Sequence, residues 1–234
     1  MAGGESRWLL IGNSRWHWAQ DTPDGRRYWS EPPAACLAAQ PRCWAAVGPL
    51  PQGLDPDRQL RLDQIPLLGM PPWLGIDRAL AGYEAWQRAS GRPVLVADAG
   101  TALSLTRIDA TGRFAGGRLL AGAALQLQAL GRGTRDLPVG VAVEASVGDG
   151  WPHDTATAMG FGVLDGLAGA LQRAAATALG EQPQLQLWLT GGDAQALLPL
   201  LLQGPLAGQP WQLVAGLCLD GLARVASLSS GPGR

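Results

Sequence analysis

The chain has 234 residues, of which 47% are hydrophobic and 16% charged, with a formal net charge of -1. This composition excludes a generally disordered chain, and the near-zero charge argues against electrostatic binding of nucleic acid. The length accommodates one large domain or two small ones. All 18 basic residues are arginine, and the lack of lysine excludes a Walker A loop, a Schiff-base lysine and a protein-kinase lysine. Any phosphate binding must therefore rest on backbone amides, arginines, hydroxyl groups and metal ions.

Cysteines, histidines and apolar runs limit the function further. Cys36, Cys43 and Cys218 form no metal-binding pattern, and their odd number favours buried thiols over a disulfide framework. Two histidines are too few for a histidine metal cluster. No basic and apolar leader precedes residue 8, and no apolar run has the ~18 residues of a membrane span. We therefore expect a cytoplasmic protein with no membrane or nucleic-acid partner.

The first half of the chain opens with a predicted β-hairpin. An apolar run from Trp8 leads to Gly12-Asn13-Ser14, and polar and apolar residues then alternate through Trp18. Further along, Gly75 opens a strong amphipathic helix that closes at Ser90-Gly91. The elements predicted between them are a polar turn at 21–26, a short Ala-rich helix within 31–42, a buried strand at 44–47, and a helix and strand feeding an irregular loop at 53–72.

The second half opens with a similar hairpin over residues 94–106. An apolar run carries Asp98 to the end of a strand, Gly100 permits a tight turn, and Thr101 follows. The elements predicted after it are a polar turn at 109–112, a strand and loop at 116–122, a helix at 123–130, a loop over 131–152, a helix at 155–179, a strand at 185–189, a helix at 194–202, a strand end at 213–214 and a helix near 217–228.

The repeated hairpin predicts two related halves, 1–92 and 93–234, because Gly12 stands in the first hairpin where Gly100 stands in the second. A glycine turn lets a phosphate approach the backbone, and a carboxylate beside it can hold a cation. The alternative is an ordinary hairpin whose aspartate caps its own turn. Strands that alternate with helices after each hairpin predict an α/β fold with mixed sheets and a nucleotide in the cleft between the halves.

Two carboxylates are candidates for phosphoryl-transfer chemistry. Asp77, just after Gly75, could accept the proton of a primary alcohol, and Arg78 could bind a carboxylate or phosphate through its guanidinium fork. The alternative is a helix-capping aspartate beside a solvent-exposed arginine. Asp98 offers the hard oxygen ligands that potassium and magnesium prefer. We predict that Asp77 and Asp98 converge on one cleft that also receives the phosphates of a nucleotide.

The motifs, in their order along the chain, resemble those of type III pantothenate kinases. They are Gly12-Asn13-Ser14, Gly75-Ile76-Asp77-Arg78, Asp98-Ala99-Gly100-Thr101-Ala102, Gly116-Gly117 with Gly122, Thr155 with Ala158 and Gly160, Thr190-Gly191-Gly192, and the terminal segment 213–222. Each is weak alone, but the first six, which follow the family's order, form a specific signal. The resemblance implies the duplicated ribonuclease H-like fold of the acetate and sugar kinase, heat-shock and actin superfamily.

The resemblance also implies an activity, the ATP-dependent phosphorylation of pantothenate to 4'-phosphopantothenate at the start of coenzyme A biosynthesis. It implies Asp77 as the general base, magnesium, a stimulating potassium or ammonium ion held by Asp98, and a homodimer. The pantothenate-binding residues that it implies are Gly75, Ile76, Asp77, Arg78 and Thr155. The ATP-binding residues that it implies are Gly12, Asn13, Ser14, Arg15, His17, Gly100, Thr101, Gly191 and Gly192.

Several positions depart from the family's pattern. Leu10 stands where the family usually has an aspartate, and His17 stands where it usually has a lysine. Residues 68–70 lack the expected aromatic hydroxyl, and Thr106 replaces a common carboxylate. Leu10 and His17 motivate an alternative function, a catalytically impaired nucleotide-binding or regulatory protein on the same scaffold. From the residues alone, Thr155 could also be a plain helix residue, and 190–192 an ordinary strand-to-helix turn.

Overall fold

A computed structural model describes residues 6–37, 39–143 and 150–229. Within these ranges the chain forms nine strands and five α-helices. The strands are β1 (Arg7–Ile11), β2 (Trp16–Thr22), β3 (Gly25–Glu31), β4 (Cys43–Ala46), β5 (Val94–Ala99), β6 (Ala102–Ile108), β7 (Phe114–Ala121), β8 (Gln186–Thr190) and β9 (Trp211–Leu213). The helices are α1 (Ile76–Arg88), α2 (Ala123–Gly133), α3 (Thr155–Glu181), α4 (Ala194–Gln203) and α5 (Leu217–Ser229).

These elements form two compact units, each built around its own sheet. Unit 1 contains the chain up to Gly91, the segment Ile108–Ala115 and the chain from Ala215 onward, whereas unit 2 contains Arg92–Arg107 and Gly116–Val214. Helix α5 therefore belongs to unit 1, although it lies within residues 93–234, the second of the two predicted halves. The predicted α/β architecture with two mixed sheets flanked by helices is confirmed.

The sheet of unit 1 has four strands in the order β3-β2-β1-β4. Strand β1 pairs antiparallel with β2 and parallel with β4, and β2 pairs antiparallel with β3. Trp16 and Trp18 are two positions apart in β2, so their side chains lie on the same face of the sheet, where they pack with apolar residues of β1. This buried cluster contains Leu9, Ile11, Trp16, Trp18 and Trp44. The residues between them, including Leu10 and His17, therefore point to the opposite face of the sheet.

The sheet of unit 2 has five strands in the order β7-β6-β5-β8-β9. Strand β8 runs parallel to both β5 and β9, so the carboxyl ends of all three lie at the same edge. Helix α3 packs on this sheet and contacts both α2 and α4. Its apolar residues, among them Leu164 and Leu171, join Leu95 and Leu187 of the strands in one core. This core fixes the strand ends from which the predicted ATP-binding turns emerge.

The predicted helix within residues 31–42 is wrong for the part of that range which the structure describes. Cys36 instead forms an isolated parallel bridge with Gln52. Prolines 32, 33 and 41 leave at most seven residues between them, too few for a helix that is not held by packing. Residues 53–72 likewise contain no α-helix, but two short 3-10 turns, Pro56–Arg58 and Leu62–Gln64. Residues 144–149 of the predicted loop lie outside the described ranges.

Asp220 of α5 lies at the centre of a buried charge network in unit 1. Its carboxylate accepts hydrogen bonds from Arg26 Nη1 at 2.8 Å, Tyr28 Oη at 2.6 Å and Arg88 Nη2 at 2.6 Å. Asp220 is 7% exposed. Burial, together with the hydrogen bond to Asp220, raises the pKa of Tyr28 well above its ordinary value. The network therefore joins α5 to β3 and to α1.

Glu84 of α1 is the second acidic member of this network. Its carboxylate accepts from Arg88 Nε at 2.7 Å and from Arg224 Nε at 2.5 Å. Glu84 is only 2% exposed, so it depends on these two arginines for the hydrogen bonds that water would otherwise supply. Hydrogen bonding to Glu84 is the main cause that raises the pKa of Arg224. Helices α1 and α5 are thus held together by ionic as well as apolar contacts.

We predict that Asp220→Ala lowers the free energy of unfolding by about 2–4 kcal/mol, because it removes the buried acceptor that Arg26, Tyr28 and Arg88 share. Urea denaturation followed by circular dichroism measures this loss. Asp24→Ala, in the exposed turn between β2 and β3, is the matched control and should change the free energy by less than about 0.5 kcal/mol. Equal midpoints for the two variants would contradict a stabilising role for the network.

Candidate active site

The turn between β1 and β2, residues 12–15, carries the first predicted phosphate-binding motif. Gly12 N donates to Arg15 O at 3.0 Å and closes the turn. A Cβ on Gly12 would lie 2.7 Å from Arg15 O, and a Cβ on Gly48 would collide with Gly12 O. Asn13, Ser14 and Arg15 are exposed. Glycine is therefore required at both positions for this close backbone packing, which leaves the polar residues of the turn open to a ligand.

His17 lies beside this turn, on the face of the sheet opposite to the tryptophan cluster. It is paired with Leu10 on β1 and with Ser30 on β3, so the three side chains form a row across the sheet. Its Nδ1 lies 2.8 Å from Ser30 Oγ, and its Nε2 lies 3.5 Å from where a Cβ on Gly12 would be. The two departures from the family pattern, Leu10 and His17, are thus direct cross-strand neighbours.

The charge state of His17 is set by burial and by two charged neighbours. Burial lowers the pKa of His17, the charge of Arg15 lowers it further, and the charge of Asp77 partly offsets both effects. The imidazole is therefore neutral at neutral pH. The charges of His17 and Asp77 act on each other's pKa, although the two residues of unit 1 are 60 positions apart, 77 minus 17.

Asp77 lies in the first turn of α1, and Gly75 is the N-cap of this helix. Its Oδ1 accepts from Arg78 N at 2.8 Å and lies 2.5 Å from the position that a Cβ on Gly75 would take. Gly75 therefore makes room for the carboxylate. Burial is the main cause that raises the pKa of Asp77, and the Arg78 backbone and side chain oppose it. Such a carboxylate is a stronger base than an exposed one.

Arg78 and Ile76 flank this aspartate. Arg78 is 8% exposed and Ile76 is 8% exposed. The alternative in which Arg78 is a solvent-exposed side chain is therefore wrong. Asp77 does bond to the backbone at the helix start, as the capping alternative expected, and its side chain is half-buried. A half-buried carboxylate next to a buried arginine is an arrangement suited to binding a polar substrate.

The second predicted phosphate turn lies in unit 2, between β5 and β6. Gly100 N donates to Ala102 O at 3.2 Å, and Gly122 N donates to Thr101 O at 3.0 Å. A Cβ on Gly122 would collide with Gly100 O, so the start of α2 approaches this turn too closely for any side chain. Asp98 is half-buried at the end of β5, where it is the register partner of Thr190 on β8.

The turn after β8 packs against the same region of unit 2. Gly191 has a φ of +97°, and a Cβ there would collide with the backbone of Ala99. Asp193 N donates to Ala99 O at 2.9 Å, and the Asp193 carboxylate accepts from Ala123 N at the start of α2. Burial raises the pKa of Asp193. The three segments therefore meet at the carboxyl ends of parallel strands, where ligands of α/β sheets bind.

Asp193 is a site-forming residue that the sequence analysis did not identify. It follows directly after Gly192 and precedes α4, so its position at a strand-to-helix turn was a usable signal. What the sequence could not give was its partner, because the start of α2 lies 70 positions earlier, 193 minus 123. Gly191 and Gly192 themselves are exposed.

Thr155 begins α3 and is exposed. The helix is capped by Asp154, whose carboxylate accepts from Thr157 N at 2.9 Å. The predicted contact of Thr155 with substrate therefore stays a prediction. The same holds for the convergence of Asp77 and Asp98, since the candidate residues fall into two groups, one in each unit.

The described ranges have neither a preformed cluster of metal ligands nor a membrane-spanning helix. Those ranges contain no group of three or more His, Cys, Asp or Glu residues placed to hold a metal ion. A magnesium ion that arrives with ATP needs only one or two carboxylates besides the phosphate oxygens, so it does not require such a group. No described helix has the length and apolarity to span a membrane.

Comparisons with known proteins identify the family. Residues 66–177 match the family model of type III pantothenate kinase. The type III pantothenate kinase of Synechococcus elongatus is 39% identical over 234 residues, covering 89% of this chain and 93% of the relative. That of Thermosynechococcus vestitus is 41% identical over 203 residues, covering 82% and 79%.

Solved structures agree on the fold. A Baf family protein from Campylobacter jejuni, described as a transcriptional activator, aligns with a TM-score of 0.63 at 20% identity over 96% of this chain and 98% of its own. A protein from Sinorhizobium meliloti assigned as a 2-dehydro-3-deoxygalactonokinase aligns with a TM-score of 0.58 at 15% identity over 98% of both chains. The expected actin-like fold is confirmed. The identity to the cyanobacterial enzymes over most of both chains shows that this protein belongs to the type III pantothenate kinase family.

Proposed function

We propose that this protein transfers the γ-phosphoryl group of ATP to pantothenate, giving 4'-phosphopantothenate and ADP in the first step of coenzyme A biosynthesis. Relatives that carry the name type III pantothenate kinase cover most of the chain and support this activity. The observation that carries the proposal is the half-buried carboxylate of Asp77, which lies beside a glycine that leaves room for it and whose pKa is raised by desolvation.

Asp77 is the general base of the proposed reaction. Its carboxylate accepts the proton of the primary hydroxyl of pantothenate while that oxygen bonds to the γ-phosphorus, and the bond from phosphorus to the β,γ-bridging oxygen breaks to release ADP. Arg78 can bind the pantothenate carboxylate with its fork of donors, and Gly75, Ile76 and Thr155 complete the proposed substrate pocket. Burial of Arg78 and Ile76 would exclude water from that pocket.

ATP is bound, in this proposal, through backbone and hydroxyl groups rather than through a lysine. The first turn contributes Gly12, Asn13, Ser14 and Arg15, and His17 lies directly beside it. The second contributes Gly100 and Thr101, and Gly191 with Gly192 allows close approach of the nucleoside. The packing of Gly12, Gly122 and Gly191 against neighbouring backbone supports these roles, because it fixes the turns without side chains in the way.

A divalent metal accompanies ATP in this kinase family and, when bound, neutralises the charge on the phosphates. We propose magnesium as this metal and Asp98 as the carboxylate for a stimulating potassium or ammonium ion. Leu10 cannot ligate magnesium, so Asp98, water and phosphate oxygens would provide the magnesium ligands as well.

The family resemblance also leads us to propose a homodimer. Unit 2 has large apolar side chains in contact with solvent, including Leu119 of β7 at 63% exposed and Leu125 of α2 at 40% exposed. Burial of such side chains by a second copy would contribute roughly 25 cal/mol per Å² of apolar surface.

We predict that Asp77→Asn lowers kcat by about 10²–10⁴-fold while ATP affinity changes little, because the amide cannot accept the proton. In the wild type, kcat/KM for pantothenate should fall as the pH decreases through the pKa of Asp77, which lies above the ordinary aspartate value. A coupled assay for ADP release measures both effects, and Asp57→Asn at an exposed site is the control.

Two results of this assay would count against the proposal. Full activity of Asp77→Asn would remove Asp77 from the catalytic role. A wild type that binds ATP but never turns over pantothenate, at any magnesium or potassium concentration, would instead favour the regulatory alternative motivated by Leu10 and His17.

We predict that Leu10 and His17 are energetically coupled as cross-strand partners. At pH 8, Leu10→Asp alone should lower the free energy of unfolding by about 2–3 kcal/mol, because it places a carboxylate at a position 7% exposed and opposite a neutral imidazole. Adding His17→Lys should recover about 1 kcal/mol or more. Denaturation of the four proteins of the double-mutant cycle measures the coupling, and strictly additive effects would refute it.

We predict that Asp98→Asn abolishes the stimulation by potassium, because the neutral amide binds a cation less strongly than the carboxylate does. The measurement is the ratio of kcat with potassium to kcat with sodium at constant ionic strength. Asp109→Asn serves as the control, since Asp109 bonds within its own exposed turn. An unchanged potassium ratio in Asp98→Asn would place the cation elsewhere.

A further inference from the structure

We propose that Ser30 is a positioning residue of the ATP site: its hydroxyl donates to Nδ1 of His17, so that the imidazole keeps its proton on Nε2 and directs that N–H toward the Gly12 turn. This inference rests on the proposed function, since it takes the Gly12 turn to receive phosphate oxygens. Ser30 belongs to none of the motifs that the sequence analysis identified.

The placement of Ser30 follows from the register of the β2–β3 hairpin. Ser30 is the direct partner of His17 across the two strands, and its Oγ lies 2.8 Å from Nδ1 of the imidazole. Side chains that are directly opposite on antiparallel strands point to the same face and contact each other. The hydroxyl is therefore held next to the ring by the sheet itself rather than by a flexible loop.

The same residue also holds a side chain of the turn itself. Arg15 Nη2 donates to the backbone oxygen of Ser30 at 2.9 Å. Arg15 is the last residue of the turn, and His17 is the second residue of β2. The guanidinium of one and the imidazole of the other are thus both anchored on a single residue of β3. An exposed strand residue that anchors one side chain of a predicted binding turn and the imidazole beside that turn has a role beyond strand pairing.

The tautomer of His17 decides what the ring can do. A neutral imidazole has one nitrogen that donates and one that accepts, and phosphate oxygens only accept. If Nδ1 carried the proton, Nε2 could not donate to a phosphate. A serine hydroxyl can either donate to Nδ1 or accept from an Nδ1–H; in this proposal it donates, and that bond stabilises the tautomer with the proton on Nε2. Nε2 is the nitrogen on the side of the Gly12 turn, 3.5 Å from the Cβ position of Gly12.

The charged groups that act on the ring fit this role. Arg15 from the turn favours the neutral imidazole, Asp77 from α1 favours the charged one, and burial favours the neutral form most strongly. A neutral donor needs a fixed orientation to be effective, whereas a cation attracts phosphate from any direction. The serine supplies that orientation, so it affects ATP binding rather than pantothenate binding.

The direct test is nitrogen NMR of the imidazole rings in the protein without substrate. The chain has only two histidines, His17 and His153, and His153→Gln assigns their signals. The wild type should show His17 protonated on Nε2. Ser30→Ala should show a mixture of tautomers, and Ser30→Thr, which keeps the hydroxyl on a strand-forming residue, should restore the wild-type signal. A wild type with the proton on Nδ1, or an unchanged spectrum in Ser30→Ala, would overturn the proposal.

Calorimetric titration with magnesium-ATP provides the functional readout and needs no turnover. Ser30→Ala should weaken ATP binding about 3–10-fold, the effect of one lost hydrogen bond, and Ser30→Thr should recover most of it. Thr22→Ala is the matched control, because Thr22 is a hydroxyl residue of the same hairpin whose Oγ1 donates to Gly25 O at 2.7 Å, at the hairpin's other end. Equal losses in the Ser30 and Thr22 variants would reduce Ser30 to a structural role.

This test separates the inference from the proposed function. If the wild type failed to phosphorylate pantothenate but its His17 tautomer and ATP affinity depended on the Ser30 hydroxyl, the proposed activity would fail and the positioning role would stand. If the wild type phosphorylated pantothenate but neither the His17 tautomer nor the ATP affinity depended on the Ser30 hydroxyl, the activity would stand and the positioning role would be wrong.

Discussion

The candidate site depends on one constraint, the exclusion of side chains where backbone segments meet. Gly48 packs on Gly12 in unit 1, and Gly122 and Gly191 pack on residues 99–101 in unit 2. At each of these three contacts a Cβ would collide with main-chain atoms that belong to a different segment and cannot move aside. Each contact brings peptide groups to the surface of a turn, where they can meet phosphate oxygens. A chain without lysine has few other groups for this purpose.

Burial then gives the polar groups of the site their chemical character. Asp77 and His17 lie on different elements of unit 1. Burial raises the pKa of Asp77 and lowers that of His17, so it favours the neutral form of each side chain. A carboxylate with a raised pKa suits a base that must accept and later release a proton near neutral pH. A neutral imidazole can hydrogen bond to phosphate without forming a tight ion pair with Asp77. Leu10 and His17, the two predicted departures from the family pattern, are cross-strand partners, so a change at one alters the surroundings of the other.

Much of this arrangement could be predicted from local sequence. Both hairpins, helix α1 after Gly75 and the strand before Thr190 follow from apolar period and glycine position, and the structure confirms them. The helix expected within 31–42 failed because alanine content cannot offset three prolines in so short a segment. The pairing of His17 with Ser30 was accessible in principle, since the turn that places Thr22 opposite Gly25 fixes the register of the whole hairpin. The bonds from Asp220 to Arg26 and Tyr28 were not, because they span 194 and 192 positions and no local pattern encodes them.

The membership of α5 in unit 1 has a consequence for biosynthesis on the ribosome. Translation proceeds from the N-terminus, and domains generally fold as soon as their own residues have emerged. The segments that form unit 2 end at Val214, so unit 2 does not need α5 to complete its core. The unit that carries Asp77 must wait for Asp220 and Arg224, which are made after every segment of unit 2. The nascent chain thus contains all of unit 2 before unit 1 is complete, and a premature stop that removes α5 would leave the unit begun earliest without one of its helices.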